Sequence, residues 1–427
     1  LASTKTAWLA IVIVGAWQGI AMNTIIYISG LQTVPEEVYE ASMVDGARGW
    51  KKFWKITFPL IIPFFTINLV LCMKNAMMVF DQIMSLTKGG PSQSTESISY
   101  LIYNNGMSGG QFGFQSANAF VFFVVIVIVS VLQMKFLNGK EVMMEKKKRL
   151  SHGKIVHYII NALLVLGTLT VLFPLYMTVI IALKKPSEMT NDISGALSLP
   201  SSWNLDNFVE AIKITDFRHT LGNSLLITCV TVVLCILLHS LAGYVIGRKM
   251  AKHKIFKASY YYIVSGMFVP FAVLMMPLVK QTAQLGIANR FGVIVLYTVF
   301  FMPMNLMLYA GYLKNIPTAL EEAAHVDGAS AFKIFWKIIF PNMKPMHATV
   351  AILTAMSTWN DVTTPLVILS GTDHNTLPIA QLNFQSQFGT NYNLAFASYL
   401  LALLPILLFY VVCQKQIMNG VVNGAVK

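Results

Sequence analysis

Glu40, Ala41, Ser42, Asp45 and Gly46 recur, in the same order and spacing, as Glu322, Ala323, Ala324, Asp327 and Gly328, 282 residues further along the chain. An acidic residue, two small ones and an Asp-Gly pair make neither a nucleophile with its base nor a metal-ligand set. Their chemistry is non-covalent. The small residues leave a surface that a partner can approach closely, and the glycine permits a sharp turn or the close approach of another backbone. The repeat runs from Glu40 to Pro59 (EASMVDGARGWKKFWKITFP) and from Glu322 to Pro341 (EAAHVDGASAFKIFWKIIFP). It extends upstream to Leu31 with Leu313 and Pro35 with Pro317, and downstream to Pro63 with Pro345.

In the second copy Pro317 suits the first turn of a helix, Leu320 to Val326 continue it, and Gly328 turns the chain. Beyond the turn, Phe332, Phe335, Trp336 and Ile339 fall at helical spacing on one face, with Lys333 and Lys337 on another. The first copy repeats this plan with Phe53, Trp54, Lys51 and Lys55. Each copy is therefore predicted to be a short amphipathic helix-turn-helix. A single such segment would be read as a helix lying along lipid headgroups. Two copies with matched small residues, Asp-Gly turn and closing proline argue against that reading.

The elements that must position these islands are apolar. With 56% hydrophobic and 11% charged residues, the chain is too apolar for a soluble globular protein of 427 residues. Runs of roughly 20 apolar residues, enough to cross hydrocarbon, fall near 6–29, 60–84, 117–132, 155–183, 221–246, 258–279, 291–312, 346–369 and 394–412. Backbone in lipid must satisfy its own polar groups, so unbroken runs predict helices. The expected fold class is all-α, a polytopic membrane protein with about nine transmembrane helices, three plus six.

The formal net charge of +13 does not point to nucleic acid, because the basic residues cluster in loops rather than on a soluble face. Lys146, Lys147, Lys148 and Arg149 form one cluster, and Arg248, Lys249, Lys252, Lys254 and Lys257 another. Cytoplasmic loops carry such an excess, and the nine spans then place both islands on the cytoplasmic side. The segment 184–219 mixes Lys with Glu188, Asp192, Asp206, Glu210 and Asp216, while 87–116 is almost uncharged, so both are expected outside. Cys72, Cys229, Cys235 and Cys413 lie in or beside apolar runs without ligand spacing, which argues against metal or disulfide roles.

The chain also divides. Met143 and Met144 precede the basic cluster at 145–149 and read as the start of a separate unit, giving domains 1–142 with three spans and 143–427 with six. The first span stands so close to Leu1 that the first unit reads as a C-terminal remnant or a fusion that lost its beginning.

Polar residues inside spans mark candidate paths for solute. Asn68, Asn75 and Gln82 recur every seven residues, with Lys74 and Asp81 as a neighbouring stripe. Interhelical hydrogen bonding or a Lys74–Asp81 pair would explain them equally well. Trp359, Asn360 and Asp361 could offer a ring face and polar groups to a sugar, although lone Trp also favours the membrane interface. His239 and His347 have no partners at ligand spacing and read as packed or interfacial residues. Pro174, Pro270, Pro277, Pro303, Pro365 and Pro405 are expected to bend helices.

The islands resemble the coupling segment of binding-protein-dependent ABC importer permeases, with its Glu-Ala-Ala, three residues, Gly, nine residues and Ile-x-Leu-Pro. Glu40, Ala41, Ser42, Gly46, Ile56 and Pro59 match in one copy, and Glu322, Ala323, Ala324, Gly328, Ile338 and Pro341 in the other. Ser42 replaces the second Ala, and Phe58 and Phe340 replace Leu. Segments 86–107, 199–212 and 419–427 are similar to the carbohydrate branch, of maltose and multiple-sugar type. The resemblance implies the ABC type I importer transmembrane-domain fold, in a multi-pass protein of a bacterial plasma membrane. It implies the back half of a larger permease subunit joined to a complete smaller one. It further implies a cytoplasmic ABC ATPase dimer, an extracellular or periplasmic solute-binding protein and a sugar substrate. No Gly-x-x-x-x-Gly-Lys-Ser/Thr loop occurs in the sequence. ATP and its magnesium are therefore expected on the partner ATPase subunits, with no cofactor on this chain and no enzymatic activity of its own. An importer permease for a non-sugar solute would carry the same islands. An ion-coupled secondary transporter could show internal repeats but would not need two matched docking segments. A membrane zinc protease would need a His-Glu-x-x-His helix, and the sequence has none.

Overall fold

Apolar runs become helices, and polar or proline-rich positions interrupt them. The structure is a computed structural model. It describes residues 3–32, 38, 39, 42, 47, 49–138, 154–188, 198–269, 271–314, 316–369, 373–386 and 389–425.

The chain forms two compact units, one within 1–171 and 268–276, the other within 172–267 and 277–424. In the first, α1 (Thr4–Gln32) is followed by α2 (Gly49–Lys52). That helix runs through a π-helical turn, Phe53–Thr57, into α3 (Phe58–Met77). Then come α4 (Asp81–Leu86), α5 (Ile98–Tyr103) and α6 (Phe112–Asn138). The helix α7 (Lys154–Ala182) carries residues of both units. The second unit holds α8 (Asp206–Ile214) and α9 (Phe217–Leu234), which continues through a π turn, Cys235–His239, into α10 (Ser240–Lys249). Next are α11 (Lys254–Ser265), α12 (Phe271–Gln284), shared with the first unit, and α13 (Arg290–Leu313). There follow α14 (Ala319–Val326), α15 (Ala331–Ile334), a π turn at Phe335–Ile339, α16 (Phe340–Asn342), α17 (Lys344–Asn360), α18 (Thr363–Ile368) and α19 (Leu377–Ala380). A two-residue antiparallel ladder, Gln385–Ser386 with Gly389–Thr390, precedes α20 (Tyr392–Ala425).

All nine expected runs are helical, but three are not single rods. The run 60–84 breaks between α3 and α4, the run 258–279 between α11 and α12, and the run 346–369 between α17 and α18. Among the described residues, five helices are long and apolar enough to cross a bilayer: Gly113–Gln133, Leu164–Ala182, Phe217–Lys249, Arg290–Leu313 and Tyr392–Val412. Trp50–Ile62 and Phe64–Met77 meet at a bend of 68° and together reach the same length and apolarity, as a broken span or a re-entrant loop does. The residue between them is Pro63, which has no N–H to give to the helix.

The internal repeat extends far beyond the sequence match. With the 282-residue offset that relates Glu40 to Glu322, α2 corresponds to α15, the π turn 53–57 to that at 335–339, and α4 to α18, residue for residue. Both breaks after the long helix fall in the same place, 78–80 in one copy and 361–362 in the other. Each unit thus contains the same sequence of long helix, island, broken helix and final long helix.

Within the second unit the closest helix pair is α10 with α13. Gly243 and Gly247 stand one turn apart on α10, the small-xxx-small spacing that lets helix backbones approach in lipid. A Cβ at Gly243 would collide with the Cβ of Tyr309, and one at Gly247 would lie 3.1 Å from Leu313 Cδ2 and 3.3 Å from Ala310 Cα. A buried polar chain adds direction: the imidazole of His239 bonds Thr298 O at 2.9 Å through Nε2 and receives the Asn305 amide at 3.0 Å on Nδ1. The same Asn305 amide reaches Thr354 Oγ1 at 3.4 Å, joining α17. Gly243→Val is therefore expected to destabilise the protein by about 1–3 kcal/mol through overpacking. The check is the thermal midpoint of the detergent-purified protein, which should fall further than for Gly247→Ala; an unchanged midpoint would contradict the packing.

Candidate functional site

The second island is built from the end of α13. After Leu313 the chain passes Pro317 and Thr318, whose carbonyl accepts the N–H groups of Glu321 at 2.9 Å and Glu322 at 3.0 Å. Both acidic residues lie in the first turn of α14, where the helix dipole favours negative charge. The helix closes at Gly328, whose φ of +73° is the left-handed conformation that glycine adopts without strain. Gly328 N–H bonds His325 O at 3.0 Å and Ala329 N–H bonds Ala324 O at 2.9 Å, the two bonds of a Schellman closure. The expected turn is present, and Ser330 restarts the helix by accepting Lys333 N–H at 3.3 Å.

In the first copy Glu40, Ala41, Asp45 and Gly46 lie outside the described residues. Ser42 is described and buried, its hydroxyl donating to Tyr39 O at 2.6 Å. Ala47 N–H bonds Ser42 O at 2.7 Å, the counterpart of the Ala329 to Ala324 bond.

The closing prolines explain the π turns. Pro59 and Pro341 have no N–H, so the preceding turn widens: Phe58 N–H bonds Phe53 O, and Phe340 N–H bonds Phe335 O. Both turns stack their rings alike. Trp54 and Phe58 have centroids 4.9 Å apart, as do Trp336 and Phe340, and the edge contacts Phe53–Trp54 and Phe335–Trp336 measure 5.1 and 4.9 Å.

Burial separates the second island into a root and a tip. Ile334, Phe335 and Ile339 are buried with Ile316 and Ala324 against Tyr309 and Leu313 of α13. Phe332, expected on the same face, is instead 71% exposed, because α15 has only begun there and the packed face starts at Ile334. Val326, next to the Asp327–Gly328 turn, is 88% exposed, so the tip presents an apolar side chain to solvent, and Leu320 at the start of α14 is exposed as well. Lys333 and Lys337 are exposed on the flank.

Four residues that the repeat did not single out hold the root. Arg248 and Tyr244 of α10 reach Glu321. His347 accepts the Tyr309 hydroxyl at 2.8 Å on Nδ1, and its Nε2 bonds Phe340 O at 2.9 Å. The only sequence signal was chemical, an ionisable residue at the edge of an apolar run, since the partners are far apart in the chain.

The candidate path residues are dispersed. Asn68 is buried, and Gln82 donates to Gln18 Oε1 at 2.6 Å. Asn75 and Asp81 are exposed and Lys74 is half-buried; the break after Met77 puts Asp81 and Gln82 on α4, whereas Asn68, Lys74 and Asn75 lie on α3. Trp359 is buried with its indole N–H on Ala402 O at 3.3 Å. Asp361 accepts the Tyr297 hydroxyl at 2.8 Å on one oxygen and the Thr363 N–H at 3.0 Å on the other, so it caps α18. Asn360 is exposed and donates to Met356 O at 2.9 Å.

At the other end of α13, an open cavity of about 420 Å³ is lined by Asp216, Arg218, His219, Gly222, Asn223 and Arg290. Arg290 donates to Asn223 Oδ1 at 2.9 Å, and the Asn223 amide donates to Asn375 O at 3.0 Å. The end of α7 nearby is closed by two asparagine amides, Asn207 on Ala182 O at 2.8 Å and Lys184 O at 2.7 Å, and Asn393 on Lys184 O at 2.7 Å.

Two relatives belong to one transport system. The multiple sugar-binding transport system permease protein MsmG of Streptococcus mutans is 38% identical over 276 residues, covering 64% of this chain and 98% of that protein. The permease protein MsmF of the same system and organism is 39% identical over 142 residues, 33% of this chain, which spans about half (49%) of MsmF. The crystal structure of a bacterial ABC transporter involved in the import of the acidic polysaccharide alginate shares the fold, with a TM-score of 0.53 and 22% identity over 63% of this chain and 99% of that chain. The helices α13 to α17, with their repeated counterparts in the first unit, fall within residues 1–140 and 240–421, the regions that match the family model. This multi-pass membrane chain belongs to the binding-protein-dependent transport system inner membrane component family.

Proposed function

We propose that the chain is the permease part of an ATP-driven importer of sugars or oligosaccharides in a bacterial plasma membrane. Residues 1–142 act as the back half of one permease unit and residues 143–427 as a complete second unit. Both islands face the cytoplasm, where each docks one subunit of an ATPase pair that holds the ATP and magnesium. The cavity beside Arg218 and Arg290, at the opposite end of α13, then faces outward, toward a solute-binding protein. Closure of the ATPase pair displaces the islands, and the packed helices carry that displacement to a central path by switching between discrete arrangements.

The observation that carries this reading is the second island's division into a buried root and an exposed apolar tip, with Val326 and Phe332 open to solvent on a segment otherwise fixed to α13. A headgroup-lying helix would not need the root. Sugar as the solute is supported by the similarity to MsmG and MsmF, permease proteins of a multiple sugar-binding transport system.

Replacing Val326 and Phe332 together by Asp leaves the Gly328 turn intact and should weaken ATPase association by roughly thirtyfold, the loss of about 2 kcal/mol typical of interface anchors. Trp at both Gly46 and Gly328 should abolish association while membrane insertion persists. Co-purification of the ATPase measures both, and its survival in either variant would contradict docking. For the path, Asn75→Ala, Asp81→Ala and Asn360→Ala should raise the uptake KM roughly two- to tenfold, as loss of one hydrogen bond does. Trp359→Ala should instead cost about 3–5 kcal/mol of stability as a core truncation. Uptake kinetics and the yield of monodisperse protein separate the two effects, and the reverse pattern would contradict the assignment.

A further inference from the structure

Arg248 lies in the last turn of α10, and its guanidinium reaches three acceptors at once. Nε donates to Glu321 Oε1 at 2.7 Å, Nη1 to Leu313 O at 3.2 Å, and Nη2 to Ile316 O at 2.7 Å. Tyr244, one turn earlier, donates to the other carboxylate oxygen, Oε2, at 2.9 Å, and its ring stands 5.4 Å from that of Phe335. Ile316 O belongs to the link between α13 and α14 and is the kind of group that needs a partner from outside the helix, while Leu313 O, the last carbonyl of α13, takes the guanidinium beside the Ile316 N–H at 3.1 Å. A planar guanidinium with fixed donors can serve a carboxylate and two carbonyls together, whereas an ammonium on a flexible stem acts as a point charge. The Arg248 and Glu321 side chains are only 20% and 15% exposed, so water screens this pair little.

The two copies differ in residue type at the clamp. Tyr39 occupies the position that Glu321 holds in the repeat, and its ring takes the Lys52 ammonium at 4.2 Å, within its own segment. Ile334 stands in place of that lysine in the second copy and is buried in the root.

We infer that Arg248 is a positioning residue for energy coupling: it fixes α14 to α10 and to the end of α13, so that a push on the exposed tip moves these helices as one body. The role rests on the docking reading above. Glu321 and Tyr244 complete the clamp.

The test uses the assembled transporter in proteoliposomes, with ATPase and solute-binding partners, carrying Arg248→Lys, Arg248→Gln or Tyr244→Phe. Solute uptake and ATP hydrolysis are measured on the same vesicles, and ATPase co-purification is scored independently. Co-purification and hydrolysis should persist, while solute moved per ATP falls about tenfold or more in both Arg248 variants, lysine giving no rescue, and about two- to fivefold in Tyr244→Phe. An unchanged ratio in Arg248→Gln, or recovery with lysine, overturns the positioning role alone. Should both Arg248 variants fail to fold, Tyr244→Phe, which keeps its ring against Phe335, decides, and an unchanged ratio there overturns the role. Failure of the ATPase to co-purify with the unsubstituted chain overturns the docking reading and the positioning role together.

Discussion

Burial of Phe335, Ile339 and Ile316 against Tyr309 and Leu313 turns a polar loop between membrane helices into a rigid part of the helix bundle. Each such side chain contributes about 1.5–3 kcal/mol on leaving water, enough that the island cannot swing independently of α13. The polar bonds then fix its direction. His347 ties Tyr309 to Phe340 O on the exit side, and Arg248 ties Glu321 to Leu313 O on the entry side. With root and both flanks held, the turn at Gly328 is left as the exposed tip of the segment.

The same constraint explains why the two units share more structure than sequence. Pro59 and Pro341 each withdraw a donor from the helix, and each is preceded by a π turn of the same five positions. Downstream, both long helices break at the same register, and both resume as six-residue helices, Asp81–Leu86 and Thr363–Ile368. In the second copy the break is stabilised by the Asp361 carboxylate, which receives the Thr363 N–H and the Tyr297 hydroxyl. Polar groups at such a break are satisfied by protein, as backbone inside a membrane protein must be.

Much of this was legible in the sequence. The runs of apolar residues placed every long helix, and the Asp-Gly pair with its flanking small residues placed the turn at Gly328. The breaks inside three of the runs were not legible, because a window of some 20 residues averages over a gap of two to five. Arg248 read as one more loop charge since its carboxylate partner is 73 residues away. Phe332 and Phe335 share a helical face by spacing, yet only the latter reaches the core, and no periodicity could tell where α13 would meet that face. Trp359 invited a sugar-stacking role by its type, whereas its packing against Ala402 O belongs to a contact with α20 that lies 43 residues on.

The account stands on one geometric claim: both islands emerge on one face of the membrane and are covered there by the ATPase. Single cysteines at the exposed positions Trp50 and Val326, in a chain cleared of its four native cysteines, can be labelled with a membrane-impermeant thiol reagent in right-side-out and inside-out vesicles, with and without the ATPase. Labelling of both positions only from the cytoplasmic side, suppressed by the ATPase, is the predicted result. Labelling from opposite faces, or labelling indifferent to the ATPase, would contradict it.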